Sequence, residues 1–207
     1  MGLIHKATFI PRFARQLFYK AFNKCMFYSA GAKIGKNFNA YNRIYLKLYK
    51  NAILTIGDNF TLLSGEAINP ISRNIKACIY LNNGAVLTIG NNVGLSSPCI
   101  WCNESISIGN NVKIGGGSLI LDTDCHSLDH ITRRNPIHDK MYTKNKPVII
   151  SDDVFIGANS IILKGVHIGA RSIIAAGSIV TKDIPADCIA GGNPCKVIRV
   201  IGPKPLL

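Results

Sequence analysis

From Ile108 to Val180 branched apolar residues recur every six positions: Ile108, Ile114 and Ile120, then, after a polar interval, Ile150, Ile156, Ile162, Ile168, Ile174 and Val180. A period of six matches neither the 3.6 of a helix nor the 2 of a half-buried strand, so a repeat architecture takes precedence over an element-by-element reading. The unit is visible in Ile156-Gly157-Ala158-Asn159-Ser160-Ile161: a branched residue, a glycine, and a small residue at the fifth place. Glycine beside the branched residue suits a tight corner, and the branched residue suits a short buried strand. One hexad then makes one face of a coil, three faces close a triangular turn, and stacked turns bury the register as ladders along one axis. Continued past Ile120, the register falls on His126 and Thr132 before the phase returns at Ile150. A histidine therefore stands where the coil opens.

Three further zones surround this repeat. Phe9, Phe13, Leu17, Phe18, Ala21, Phe22, Cys25 and Met26 form a helical stripe with Pro11 near its start, the pattern of an amphipathic helix. Between Gly31 and Gly90 the fragments Ile34-Gly35, Ile56-Gly57 and Ile89-Gly90 are hexad-like but out of phase with the main register, as expected of early coils interrupted by bulges. Ser127 to Pro147 carries His130, Arg133, Arg134, His138 and Asp139; a polar excursion of ~20 residues inside a compact repeat is too long for a plain turn and is usually functional. The expected organisation is a basic helix over 1–30, a solenoid over 31–190 with the excursion 127–147, and a tail over 191–207. No Pro/Ser/Gly-rich linker divides the repeat zone, so the 207 residues read as one unit.

Charge is uneven. Ten Lys or Arg residues and no Asp or Glu precede Asp58, 11 of the 16 aromatics lie in the first 50 residues, and the net charge of +13 is largely an N-terminal property. A basic, aromatic helix carrying Arg12, Arg15, Lys20 and Lys24 suits an anionic membrane surface; the same stripe would also cap the open end of a solenoid. No run of 18 apolar residues and no signal-peptide core is present, so spanning or export is not expected, and the expected location is cytoplasmic with peripheral contact at the inner membrane face. The cations join no nucleic-acid-binding motif, so no nucleic acid is expected. Seven scattered cysteines read as reduced thiols. Cys99-Ile100-Trp101-Cys102 is a lone CxxC without a second pair, and no metal is expected there.

The run Val154-Phe155-Ile156-Gly157 to Ile162-Leu163-Lys164-Gly165-Val166, with Ala175-Ala176-Gly177-Ser178, Val180-Thr181-Lys182-Asp183-Ile184-Pro185 and Gly192-Asn193-Pro194-Cys195-Lys196-Val197-Ile198-Arg199, resembles the hexapeptide-repeat acyltransferases. The likeness is greatest to the galactoside and maltose acetyltransferase branch and its polysaccharide O-acetyltransferase relatives. It implies an all-β, left-handed parallel β-helix working as a homotrimer with acetyl-CoA as acyl donor and no metal. Acyl transfer from a thioester to an alcohol needs a base at neutral pH, for which imidazole is suited, and donors for a developing oxyanion. In Leu121-Asp122-Thr123-Asp124-Cys125-His126-Ser127, His126 matches the family's catalytic histidine, with Asp122, Asp124 or a backbone carbonyl as the candidate orienting group. By the same resemblance Phe155 lies beside the pantetheine arm where a tryptophan is common. Ala158, Ala175 and Ala176 line the cofactor groove, and Thr181, Lys182, Lys196 and Arg199 stand near the nucleotide phosphates.

The acceptor side departs from the galactoside enzymes. Where those have an asparagine on the coil before the histidine, this chain reads Gly94-Leu95-Ser96-Ser97-Pro98, leaving Ser96, Trp101 or Asn103 to replace it, with His130 and Arg133 as further acceptor contacts. The expected reaction is O-acetylation of a sugar hydroxyl in a surface polysaccharide or its lipid-linked precursor. The alternatives on the same fold are a sugar N-acetyltransferase or an antibiotic acetyltransferase. Outside that class stand a zinc enzyme using His126, His130 and His138 and a non-enzymatic scaffold.

Overall fold

The computed structural model describes residues 3–65, 71 and 75–202, with side chains from residue 13 onward in that set. Six coils stack, each contributing one strand to each of three faces. The first face holds Lys33–Ile34, Ile53–Ile56, Val86–Ile89, Ser105–Ile108, Val148–Ile150 and His167–Ile168. The second runs from Asn39–Tyr41 through Thr61–Leu63, Gly94–Ser96, Lys113–Ile114, Phe155–Ile156 and Ile173–Ile174 to Cys188–Gly191, and Lys196–Val200 closes it antiparallel. The third holds Tyr45–Leu48, Cys78–Leu81, Cys99–Cys102, Leu119–Leu121, Ile161–Ile162 and Ile179–Val180. The result is a left-handed parallel β-helix, against the usual right-handed preference of parallel crossovers.

All nine residues of the hexad register are at most 2% exposed, and burial of each such side chain is worth about 1.5–3 kcal/mol. Ile34, Ile56 and Ile89 continue the ladder of Ile108, Ile150 and Ile168 in strict register. Their apparent phase error has a simple origin: the early coils use strands of four residues and carry an insertion after Leu63, so the ladder is kept in space while the count in sequence is not.

One corner shows why the repeat needs its small residues. A Cβ added at Gly90 would fall 2.7 Å from the carbonyl carbon of Gly109 in the next coil. Two residues on, Asn59, Asn92 and Asn111 adopt φ of 57°, 59° and 58°, a conformation asparagine tolerates. Their amides form a ladder, Asn59 to Asn92 at 2.9 Å, Asn92 to Asn111 at 3.0 Å and Asn111 to Asp153 at 3.0 Å.

The helix spans Leu3–Ser29, so Pro11 lies within it rather than at its first turn. The side chains of Phe9 and Arg12 lie outside the described set. Its last turns cap the solenoid: Phe27 is fully buried against Phe38, with ring centroids 5.0 Å apart. The buried Asn23 donates to the carbonyls of Ala40 and Asn42, each at 2.9 Å. Phe13, Leu17, Phe18 and Phe22 are each at least 50% exposed. Capping therefore accounts for the end of the stripe and leaves Leu17, Phe18 and Phe22 outside the core. Among the described residues no helix is long and apolar enough to cross a membrane.

Candidate active site

The chain leaves the solenoid after Leu121 and returns at Val148, and the neck of this excursion is pinched by Asp124 N–H to Lys144 O at 3.1 Å and Lys146 N–H to Asp122 O at 2.9 Å. Its tip is ordered by a 3-10 turn, Thr132–Arg134, and a short helix, Pro136–Tyr142, which Asn135 caps by accepting from the Ile137 and His138 amides. Proline at the first helical position and Asn before it are start signals, so the polar interval is a folded element.

That helix delivers Asp139 to His126. Asp139 Oδ2 lies 2.6 Å from His126 Nδ1, and its Oδ1 accepts the Ser127 amide at 2.6 Å. The His126 contact, then the Ser127 amide, holds the Asp139 carboxyl below the usual carboxylate range. An ionised Asp139 only accepts, so Nδ1 carries the hydrogen and the Nε2 lone pair of the neutral ring is left to take a proton. The imidazole is 69% exposed and the carboxylate 14%.

Asp122 and Asp124, the carboxylates nearest in sequence, do other things. Asp122 is fully buried and accepts the amides of Asn103, Glu104 and Ser105 at 2.7, 2.7 and 2.8 Å, closing the corner of the preceding coil. Asp124 pairs with Lys164 at 3.4 Å, which ties the neck to the coil below it. Arg133 donates to the carbonyls of Ser127 and Leu128 at 2.8 and 3.0 Å and so shapes the turn after His126. His130 is 72% exposed and 3.9 Å from Asp129. Among the described residues no group of three or more His, Cys, Asp or Glu side chains is arranged to hold a metal ion. Cys99 and Cys102 point to opposite sides of one strand, Cys102 inward, so the CxxC pair does not converge.

His126 and Asp139 open into a pocket of about 550 Å³ that Tyr49, Tyr80, Asn82, Asn103 and Lys140 also line. Asn103 donates to Thr123 Oγ1 at 3.0 Å and accepts the Trp101 indole N–H at 3.1 Å. Tyr49 and Tyr80 share a 3.0 Å hydroxyl contact, which pushes the Tyr80 phenol up to about 12.

A second depression, about 580 Å³, runs along the second face and its corner with the third. Phe155, Ala158, Ala175 and Ala176 all line it, and so does Ser96, which the fold places here and not beside His126. Gly115, Gly157 and Lys113 join them. Lys196 and Arg199 lie on the antiparallel strand that ends the same face, whereas Thr181 and Lys182 follow the last strand of the third face. Asp139 escapes sequence reasoning because thirteen residues separate it from His126. The Asn135-Pro136 helix start was the available signal. Tyr49 and Tyr80 give no signal, since irregular insertions hide their alignment with Trp101.

Comparison with known proteins agrees with this geometry. A family profile described as the hexapeptide repeat of succinyl-transferase matches residues 147–182. The galactoside O-acetyltransferase of Escherichia coli K12 is 38% identical over 131 residues, 63% of this chain and 62% of that protein. A Staphylococcus aureus tetrahydropyridine-dicarboxylate N-acetyltransferase is 60% identical over 53 residues, 26% of this chain and 22% of its own. The chain thus spans less than two thirds of the curated relatives it matches. A hexapeptide-repeat-containing acetyltransferase from Vibrio cholerae, solved with acetyl coenzyme A, superposes with a TM-score of 0.53 at 29% identity, covering 76% of this chain and 72% of the other. The coil ladders, the repeat match and these relatives agree in likening the chain to the hexapeptide-repeat acetyltransferases.

Proposed function

We propose that the protein transfers an acetyl group from acetyl-CoA to a hydroxyl of a glycan, in a surface polysaccharide or its lipid-linked precursor. The observation that carries this reading is the His126–Asp139 pair, 2.6 Å apart and opening into the 550 Å³ pocket. His126 Nε2 takes the acceptor hydroxyl proton as that oxygen attacks the thioester carbonyl, and gives it to the departing sulfur, so proton and acyl group balance. Asp139 keeps the tautomer and the ring orientation through the cycle.

The second-face groove fits the donor. Acetyl-CoA, when bound, supplies the activated acetyl thioester. Ala158, Ala175 and Ala176 leave backbone amides and carbonyls approachable for the amides of a pantetheine arm, and Phe155, 48% exposed, offers it an apolar wall. Lys196 and Arg199 offer cations for phosphates at the end of that face, and Thr181 and Lys182 stand past the neighbouring strand. The groove and His126 are separated by the third face within one chain, so a site that unites them draws on two copies. We assign a homotrimer on that ground and from the family.

The exposed aromatic stripe, with Arg15, Lys20 and Lys24, supports a peripheral position at the inner face of an anionic membrane. An acceptor screen with acetyl-CoA, read by thiol release and product mass, tests the reaction. Acetylated hydroxyl product is the expected result. Acetylation only of amines would move the chain to the N-acetyl class, and thiol release with no acetylated acceptor would remove the assignment.

A further inference from the structure

The outer side of the third face carries an aromatic ladder, two rings of which, Tyr49 and Tyr80, line the His126 pocket. Tyr80 and Trp101 occupy the same register position on adjacent coils, with ring centroids 4.5 Å apart. Tyr49 joins from the first coil at 5.4 Å from Tyr80, and Lys47 Nζ sits 5.1 Å from the Tyr49 centroid. A solenoid buries its apolar side chains inside, yet Tyr49 is 43% and Trp101 36% exposed. Amide side chains flank the rings: Asn82 and Asn83 line the pocket with Tyr49 and Tyr80, and Asn82 donates to Asn103. Aromatic surface bordered by neutral amides suits a ring with C–H patches and many hydroxyls. The ladder covers two coil spacings, roughly 10 Å, the reach of a short oligosaccharide. It also reaches the coil that the N-terminal helix caps.

We infer that Tyr49, Tyr80 and Trp101 form an extended glycan platform, so that the acceptor is a chain of several sugar rings with one hydroxyl at His126 and its neighbours lying along the ladder. This rests on the proposed acetyl transfer, and deepens it by fixing the acceptor as an oligomer. Trp101 is the sole tryptophan, so its fluorescence reads occupancy of the ladder without any turnover.

The full-length protein is titrated with gluco-, galacto- and N-acetylglucosamine oligosaccharides of one to five rings, while thiol release from acetyl-CoA is followed separately. In at least one series, affinity should rise by roughly three- to tenfold for each ring that meets an aromatic side chain and level off near three rings. In Tyr80→Ala this gain with length should collapse, and in Tyr80→Phe, which keeps the ring, it should remain. Fluorescence unmoved by every glycan, affinity independent of length, or an unchanged length gain in Tyr80→Ala would overturn the platform. So would loss of the oligomer in Tyr80→Ala, which would make the ladder an interface between copies. Acetyl transfer to a monosaccharide without a length gain leaves the reaction standing and removes the platform. A length gain with no transfer to any acceptor does the reverse.

Discussion

The carboxylate that holds His126 comes from thirteen residues downstream, on the first turn of the excursion's helix. His126→Ala should leave the fold and donor binding near wild type while transfer falls by ~10²–10⁴-fold, the usual contribution of a positioned base. A loss under tenfold in kcat would remove it from that role. Asp139→Asn should cost ~10–10³-fold in kcat with little change in KM for acetyl-CoA, less than a fully buried triad carboxylate because the imidazole is exposed and free to turn. Equal changes in kcat and KM would indicate general damage to the loop. Acid should act on the same contact. The Asp139 carboxyl is held below its ordinary value, so the contact contributes to order in the excursion above the unfolded carboxylate pKa of ~3.9 and is lost as pH falls through the depressed one. Protease sensitivity of Ser127 to Lys146 should therefore rise below pH ~4 in the wild type and be already high at neutral pH in Asp139→Asn. At this scale His126 was legible in sequence as the candidate base, from its place at the open end of a coil and the motif around it, and the carboxylate in contact with it was not. Proximity along the chain favoured Asp122 and Asp124, but a turn of three consecutive amides and Lys164 claim those two carboxylates.

At the scale of the element, the buried ladders hold the coils together. Ile168 is fully buried in the first-face ladder between coils. Ile168→Asp should destabilise the fold by at least ~3 kcal/mol through an unpaired buried charge, while Lys182→Asp, at an exposed position, should shift the melting temperature little. Equal shifts would mean that the hexad phase is misplaced. Lys164 is a poor control despite lying off the register, because its ammonium already faces Asp124. The six-residue period made the faces from Ser105 onward readable without a structure. The early coils were recognisable only as fragments, since four-residue strands break the count while leaving Ile34, Ile56 and Ile89 on the same ladder. The helix divides in the same way. Asn23 and Phe27 do the capping, and the stripe from Phe13 to Phe22 is left outside the core. Each cation near an anionic surface contributes about 1 kcal/mol, so reversing Arg15, Lys20 and Lys24 should release the protein from phosphatidylserine vesicles at low salt. If the wild type does not sediment with them, the membrane position is removed.

At the scale of the whole molecule, the second-face groove proposed for the donor and the proposed base, His126, lie on different parts of the triangular cross-section. Ala158, Ala175 and Ala176 sit at the second face and its corner, and His126 stands beyond the third face. A rigid β-helix, whose coils are locked by parallel ladders and a buried register, has no hinge that would bring the two together. The proposed cyclic assembly would do so without deformation, each copy offering its histidine to the groove of the next. Two inactive variants should then restore one another. His126→Ala keeps the groove, and Ala176→Trp, at an exposed corner position, fills the groove and keeps the histidine. Unfolded together at equal amounts and refolded, they should recover about a quarter of wild-type activity, because each site pairs one random histidine donor with one random groove donor. Light scattering confirms that both variants assemble alone. Mixed oligomers with no recovered activity would place base and groove in the same copy, and the separation of the two cavities would then have to be bridged by the acceptor itself.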